Sequence, residues 1–171
     1  MHRAGTIVVA LTRDQSDLAT FARRAPTAAS LSKTQIAEYE PHLAERFSKA
    51  LFLADEGHLD PRATLIALHA RLHQRGVRFG GDIKGQVIDC RGLAARDTLT
   101  DLRGVKGEML VVRCPDVTLP RPVRLLHPRF PLYIVPRGDG VFMLGATQIE
   151  TGERGRATLR SVMELMNAAY A

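Results

Sequence analysis

The sequence predicts an α+β fold, a mostly antiparallel sheet flanked by helices. Two patterns predict it. Short β-branched runs share the chain with helix-period stretches, which makes the class mixed. The strand-like runs after residue 100 are joined by turns too short for the crossover that a parallel pair requires. Composition agrees: 171 residues with 45% hydrophobic and 25% charged side chains describe an ordinary globular chain of about one domain. Size scaling for this mass predicts roughly 8,300 Å² of folded surface, with about 70% of the extended chain's surface buried.

Taken in order, Thr6 to Leu11 is a β-branched run, expected as a buried strand. Asp14 can cap a helix that includes Leu18 and Phe21 and fades at Arg23 and Arg24. Ala25 to Ser32, rich in Pro, Ala and Ser, is expected as a loop, and Ser32 or Thr34 starts a short helix that ends before Pro41. Phe47 to Ala54 is a strand. Asp60 followed by Pro61 is a helix start, with Leu65, Leu68 and Leu72 as its expected buried stripe and Gly76 as its stop. Val77 to Phe79 and Val87 to Cys90 are expected strands on either side of the glycine-rich break Gly80–Gly85. Met109 to Arg113, Leu132 to Val135 and Val141 to Ala146 complete the strands, the last two joined by the turn chemistry of Arg137-Gly-Asp-Gly140. A final helix from about Gly155 to Tyr170 is expected to bury Leu159, Val162, Met163 and Met166.

Several function classes are excluded or left without support. No apolar run approaches the ~18 residues of a membrane span, and the N-terminus carries no signal-peptide pattern. The two cysteines, Cys90 and Cys114, suit a reducing compartment, so the expectation is a soluble cytoplasmic protein with no membrane partner. His69 and His73 have metal-compatible i, i+4 spacing, but no third ligand accompanies them and no metal site is expected. Ser30-Leu-Ser-Lys33 matches S-x-x-K without its companion elements, and no G-x-S-x-G or Walker sequence occurs. Gly138-x-Gly140 is followed by a strand where a dinucleotide fingerprint needs a helix. No catalytic nucleophile or general base is assigned. The formal charge is +6, and the six Arg and one Lys between Arg103 and Arg137 against Glu108 and Asp116 account for +5 of it. That Arg103–Arg137 stretch leaves a basic nucleic-acid-binding or protein-interaction module as the alternative class, although 5% aromatics supply few stacking platforms and make nucleic acid the weaker partner.

The ordered combination Val105-Lys-Gly-Glu-Met109, Leu132-Tyr-Ile-Val-Pro-Arg137, a Gly-Asp-Gly turn and Leu144-Gly-Ala-Thr147 resembles the substrate domain of FAD-dependent glycine oxidases of thiamine biosynthesis, within the D-amino-acid oxidase superfamily. His58-Leu-Asp-Pro61 with its helix and Arg75-Gly-Val-Arg-Phe79 is similar to the segment where that family returns to its flavin domain. Val87-Ile-Asp-Cys-Arg-Gly92 resembles the glycine-terminated strand under the FAD.

The resemblance implies the substrate-domain part of a D-amino-acid-oxidase-like fold. Residues 1–171 are expected as a single unit, with 77–97 resembling a remnant of the FAD domain and 80–85 a junction. It implies an enzyme oxidising glycine or another small amino acid or amine to the imine, with O₂ as acceptor and FAD as cofactor. Tyr133 matches the tyrosine whose hydroxyl contacts the substrate carboxylate. Gln148 stands where glycine oxidases usually carry a Met lining the pocket, which implies a more polar pocket. Arg137, four residues from Tyr133, shares its strand face and is a candidate for steering the substrate, with solvation of the turn as the other reading of the same residue. Cys90, Arg91 and Gly92 are the implied cofactor contacts. The family's opening G-x-G-x-x-G and its closing carboxylate-binding Arg are both missing, so a truncated chain is expected, inactive and without FAD by itself. The apolar stretch around Val87–Leu93 is then an expected self-association face, making a homo-oligomer a further expectation.

Overall fold

The computed structural model describes residues 2–82 and 84–170, so Ile83 of the Gly80–Gly85 break lies outside the described residues. In chain order its elements are β1 (Thr6–Ala10), α1 (Gln15–Arg24), β2 (Ala29–Ser32), α2 (Lys33–Tyr39), α3 (Pro41–Ala44), β3 (Lys49–Leu53) and α4 (Pro61–Gln74). After a short 3₁₀ helix, Gly92–Asp97, follow β4 (Val105–Lys106), β5 (Met109–Arg113), β6 (Val123–Leu126), β7 (Leu132–Gly138), β8 (Val141–Gly145), β9 (Ile149–Glu150) and α5 (Leu159–Tyr170). The main sheet has the order β2-β3-β1-β6-β7-β8-β5, antiparallel throughout except for the parallel pair β1 and β6. The expected class is therefore observed: an α+β fold built on a mostly antiparallel sheet.

The local chemistry explains most boundaries. Ser32 and Gln35 form a reciprocal capping box at α2, and Asp60 Oδ1 accepts from the Ala63 N–H at 2.7 Å to start α4. Asp139 and Gly140 both have positive φ, 51° and 68°, as the two-residue turn between β7 and β8 requires. A Cβ on Gly140 would also lie 2.8 Å from the Pro115 backbone. Gly140→Ala is accordingly expected to cost at least about 1–2 kcal/mol, read as a lower urea midpoint.

The two sheet faces bury different sets. Ile7, Val9, Val123, Leu125, Leu132 and Leu144 join Ile36 of α2 and Leu165 of α5 in the larger core. Val8, Ala10 and Leu51 meet Leu18 of α1 on the opposite face. That alternation follows from the period of two along each strand.

Several expectations need correction. Ala29–Ser32 is an edge strand rather than loop, because its single buried residue, Leu31, leaves almost no hydrophobic pattern to read. Val123–Leu126, not anticipated at all, is the strand that joins the two halves of the sheet. Val77–Phe79 and Val87–Cys90 are irregular and exposed: among the described residues no neighbouring strand pairs their backbone. The Leu65, Leu68 and Leu72 stripe is not buried, since α4 has no buried residue and Ile66 is 73% exposed. In α5 the buried residues are Ser161, Leu165 and Ala168, whereas Leu159, Met163 and Met166 are exposed. Small Ser161 and Ala168 let that helix sit close to the sheet, and a reading weighted by side-chain size misses them. The total surface is 12,315 Å², about 4,000 Å² more than size scaling predicts for this mass. Part of the excess is visible as the uncovered α4 and residues 77–82 and 84–92.

The Val105–Met109 segment locks α5 in place. The Glu108 side chain is 1% exposed; its Oε1 takes the Lys106 ammonium at 2.8 Å, and its Oε2 accepts from the Thr158 N–H and hydroxyl at 3.1 and 3.0 Å. Thr158 in turn accepts from the Ser161 N–H at the helix start. The Lys106 ammonium foremost, then Ser161 and the Thr158 N–H, hold the Glu108 carboxyl at about 2. A folded-state value below the ordinary 4.5 stabilises above pH 4.5 and that contribution disappears as pH falls towards 2. The stability gap between wild type and Glu108→Gln in urea melts is expected to close over that window; a gap independent of pH would refute the assignment.

Candidate substrate-facing site

Cross-strand register assembles one row on the α1 side of the sheet. Met109 pairs with Gly145, Gly145 with Tyr133, Tyr133 with Arg124, and Arg124 with Val8. The next row on the same face is Val111, Met143 and Val135. α1 covers this face at its β1 and β3 end and reaches Arg124 of β6 through Phe21. Beyond it Met109 and Val111 are 53% and 74% exposed, leaving an apolar strip of methionine and valine over β5, β8 and β7.

Gly145 makes a notch in that strip. A Cβ there would lie 2.6 Å from Met109 Cγ, so the methionine leans across the glycine towards the Tyr133 position. The Tyr133 ring is half-buried, with the Arg124 guanidinium carbon 5.1 Å from its centroid. The same guanidinium carbon lies 5.0 Å from the centroid of Phe21 on α1, so Arg124 is held between two rings. No hydrogen bond is made by the Tyr133 hydroxyl among the described residues. A half-buried phenol with its polar tip free can orient a small carboxylate without first breaking an internal bond.

The other expected site residues are placed differently. Arg137 donates to the Leu59 carbonyl at 2.8 Å and rests against Met143 Sδ at 3.4 Å. It lines a separate cavity of about 290 Å³ with His2 and His58, whose rings stack at 5.0 Å. Its visible work is to tie the segment before α4 to the end of β7. Gln148 is exposed and follows Thr147, whose N–H and hydroxyl both bond to the Glu108 backbone, at 3.2 and 3.1 Å. The two short motifs Val105–Met109 and Leu144–Thr147 thus buttress one another beside Gln148.

Cys90 and Arg91 lie on the exposed segment that leads into the 3₁₀ helix, and Gly92 is the first residue of that helix. Arg91 is clamped by two carboxylates, Asp89 at 2.8 Å and Asp97 at 2.9 Å, an exposed triad that holds Asp89 down at about 2. Gly92 has φ 58°, and a Cβ there would have no atom within 4 Å.

The basic Arg103–Arg137 stretch does not act as one face. Arg121 turns inward to Glu40, Arg124 is stacked between rings, Arg129 pairs with Glu164 at 3.1 Å, and Arg137 is spent on a carbonyl. His69 stacks on Phe79 at 4.1 Å, and among the described residues no cluster of metal-ligating side chains occurs. No helix among them is long and apolar enough to cross a membrane.

Sequence reading missed Arg124, Met109 and Gly145 as neighbours of Tyr133. Val105–Met109 and Leu144–Thr147 did stand out as motifs, but only register reveals that Gly145 separates Met109 from Tyr133. Nothing in the sequence singles out Arg124, because its strand was not legible.

The family model described as DAO, FAD dependent oxidoreductase, matches residues 1–171. The chain belongs to that family. Among curated proteins, the DAO-family chain is 50% identical over 178 residues to a putative thiamine biosynthesis oxidoreductase ThiO of Rhizobium etli, covering 100% of this chain and 54% of the relative. Its fold is similar to that of glycine oxidase from Bacillus cereus (TM-score 0.77, 18% identity, 99% of this chain and 56% of that one). Glycine oxidase from Geobacillus kaustophilus is also similar (TM-score 0.72, 24% identity, 98% and 53%). L-proline dehydrogenase from P. horikoshii shares the fold at TM-score 0.70 and 13% identity, over 98% of this chain and 55% of that one. The chain thus spans about half the length of the relatives it matches. The expected family, fold and resemblance to glycine oxidases are borne out.

Proposed function

We propose that this chain forms the substrate-facing part of an FAD-dependent oxidase that converts glycine, or another small amino acid or amine, to its imine. O₂ would be the electron acceptor and thiamine biosynthesis the setting. The observation that carries the reading is the uncovered apolar strip of Met109, Val111 and Met143 with Tyr133 at its edge, its hydroxyl unengaged. A flat, mostly apolar ring system fits such a strip, and the open space at Gly92 fits its close approach.

The flavin, when bound, supplies the two-electron acceptor for the substrate's α-carbon. The chain's own residues bind and orient. The Tyr133 phenol donates to the substrate carboxylate, while Arg124 stacked on its ring keeps the phenol from rotating away. Gly145 lets the Met109 side chain pack down over β8, and Met109 with Val111 excludes water beside the Tyr133 ring. Gln148, buttressed by Thr147, adds a polar group at the rim. Gly92, with Cys90 and Arg91 beside it, would lie against the cofactor; Arg91 stays neutralised by Asp89 and Asp97 there and acts through its backbone.

The test is flavin content and turnover. A full-length protein carrying this chain, supplied with FAD, is expected to purify yellow and to release hydrogen peroxide with glycine as substrate, whereas the 171-residue chain alone is expected to hold no flavin and to be inactive. A protein that holds flavin but gives no peroxide with glycine, sarcosine or D-alanine would refute the small-amine reading. Absence of bound flavin from that full-length protein would refute the oxidase reading as a whole.

A further inference from the structure

On the far side of Arg124 from Tyr133 lies a cavity of about 290 Å³, bounded by α1 and by the connection from β6 to β7. Arg24 and Thr20 of α1 face it from one side and Arg124 and His127 from the other, with Phe21 as an apolar wall. The Arg124 Nε is buried and meets no acceptor, and neither its other nitrogens nor those of Arg24 are hydrogen-bonded among the described residues. A buried cationic donor left without an acceptor is unfavourable, so it marks a place where an anion would be stabilised.

The Phe21 and Tyr133 rings lie 5.0 and 5.1 Å from the guanidinium carbon, contacts that use none of its N–H groups as hydrogen-bond donors and so leave them for a forked contact with an oxyanion. His127 Nδ1 accepts from the Arg129 N–H at 3.3 Å, which leaves the proton of the neutral ring on Nε2 as a further donor. Burial foremost, then the neighbouring Arg129, push this imidazole's pKa down, with Asp14 and Glu164 opposing. The Thr20 hydroxyl is already used, donating to the Ser16 carbonyl and accepting from Arg23. Asp17 is the one acid in the lining and forms no ion pair with either arginine; Asp14 and Glu164 also act on His127, but each is paired with an arginine outside the lining, Arg13 at 3.5 Å and Arg129 at 3.1 Å.

We propose that this cavity is a binding subsite for a small oxyanion, a carboxylate or a phosphate, gripped by Arg124 with Arg24 and His127 as further donors. It is separate from the strip assigned to the oxidase substrate, and it does not rest on that reading. Because one guanidinium serves both places, an anion here also alters the environment of the Tyr133 ring.

The test needs no cofactor. The Arg Nε–Hε resonances of the 171-residue chain are followed by NMR during titration with sodium phosphate and, separately, with disodium succinate, with sodium chloride as the ionic-strength control. A saturable shift at Arg124 and in the Tyr133 ring signals is expected with one of the two, at millimolar concentration or below, and the arm that saturates identifies the source of the oxyanion. Arg24→Gln and Arg124→Lys are each expected to weaken binding by about tenfold, the second because an ammonium cannot make the forked contact. Should Arg124→Lys not fold, Arg24→Gln decides alone. Shifts with both probes that merely track sodium chloride, or saturation that Arg24→Gln leaves unchanged, would overturn the proposal.

Discussion

Arg121→Ala is expected to destabilise the fold by about 3–5 kcal/mol at neutral pH, lowering Tm by on the order of 10 °C. The Glu40 side chain is 0% exposed, and the Arg121 Nε lies 2.8 Å from its Oε1. The arginine also donates to the Ala4 carbonyl at 3.2 Å and stacks near both Tyr39 and Phe52, so it joins the end of α2, the start of β1 and the approach to β6. Removing it leaves a buried carboxylate without its ion-pair partner, with only the weaker influence of His42 in its place. The pH dependence distinguishes this cause from simple loss of packing. Burial pushes the Glu40 carboxyl above its usual range, with Arg121 opposing. A raised folded-state pKa means that stability from this group is full below about 4.5 and is lost as pH rises. Without Arg121 that rise is larger, so the deficit of Arg121→Ala should shrink between pH 7 and pH 5. The pair Glu40→Gln with Arg121→Ala should be less destabilised than Arg121→Ala alone. A deficit equal at both pH values would mean that packing, not the orphaned charge, is responsible.

Tyr133→Phe is expected to raise KM for the amino-acid substrate by about tenfold or more in the flavin-loaded protein, the loss of one hydrogen bond to a carboxylate. Flavin content and Tm should be unchanged, because the hydroxyl has no partner within the described residues and the ring keeps its contact with Arg124. An unchanged KM would remove Tyr133 from the substrate contacts. A lower Tm would instead give the hydroxyl a role in stability.

The strongest local signals were legible in the sequence alone. β1, β3, β5 and the β7–β8 hairpin follow from β-branched runs and an Asp-Gly turn, and α2 and α4 from their caps, because these features act over four or five residues. Family membership was legible in ordered short motifs for a related reason. Val105–Met109 and Leu144–Thr147 bond to each other, so their residue types are constrained together. Tyr133 was found by its motif, but its neighbours were not: Met109, Gly145 and Arg124 lie across three strands, and strand order is a long-range property that no local pattern carries. The burial of α4, Val77–Phe79 and Val87–Cys90 was misread for the complementary reason. Apolar composition states that a segment can be buried, while the presence of a second layer against it decides whether it is. The clustered positive charge was likewise a feature of the linear order; folding dispersed it to Glu40, to the Phe21 and Tyr133 rings, to Glu164 and to the Leu59 carbonyl. Sequence determined the class, the family and the candidate tyrosine, through interactions that are short in range. Register and layer contacts, which depend on residues dozens of positions apart, decided which side chains stand beside it.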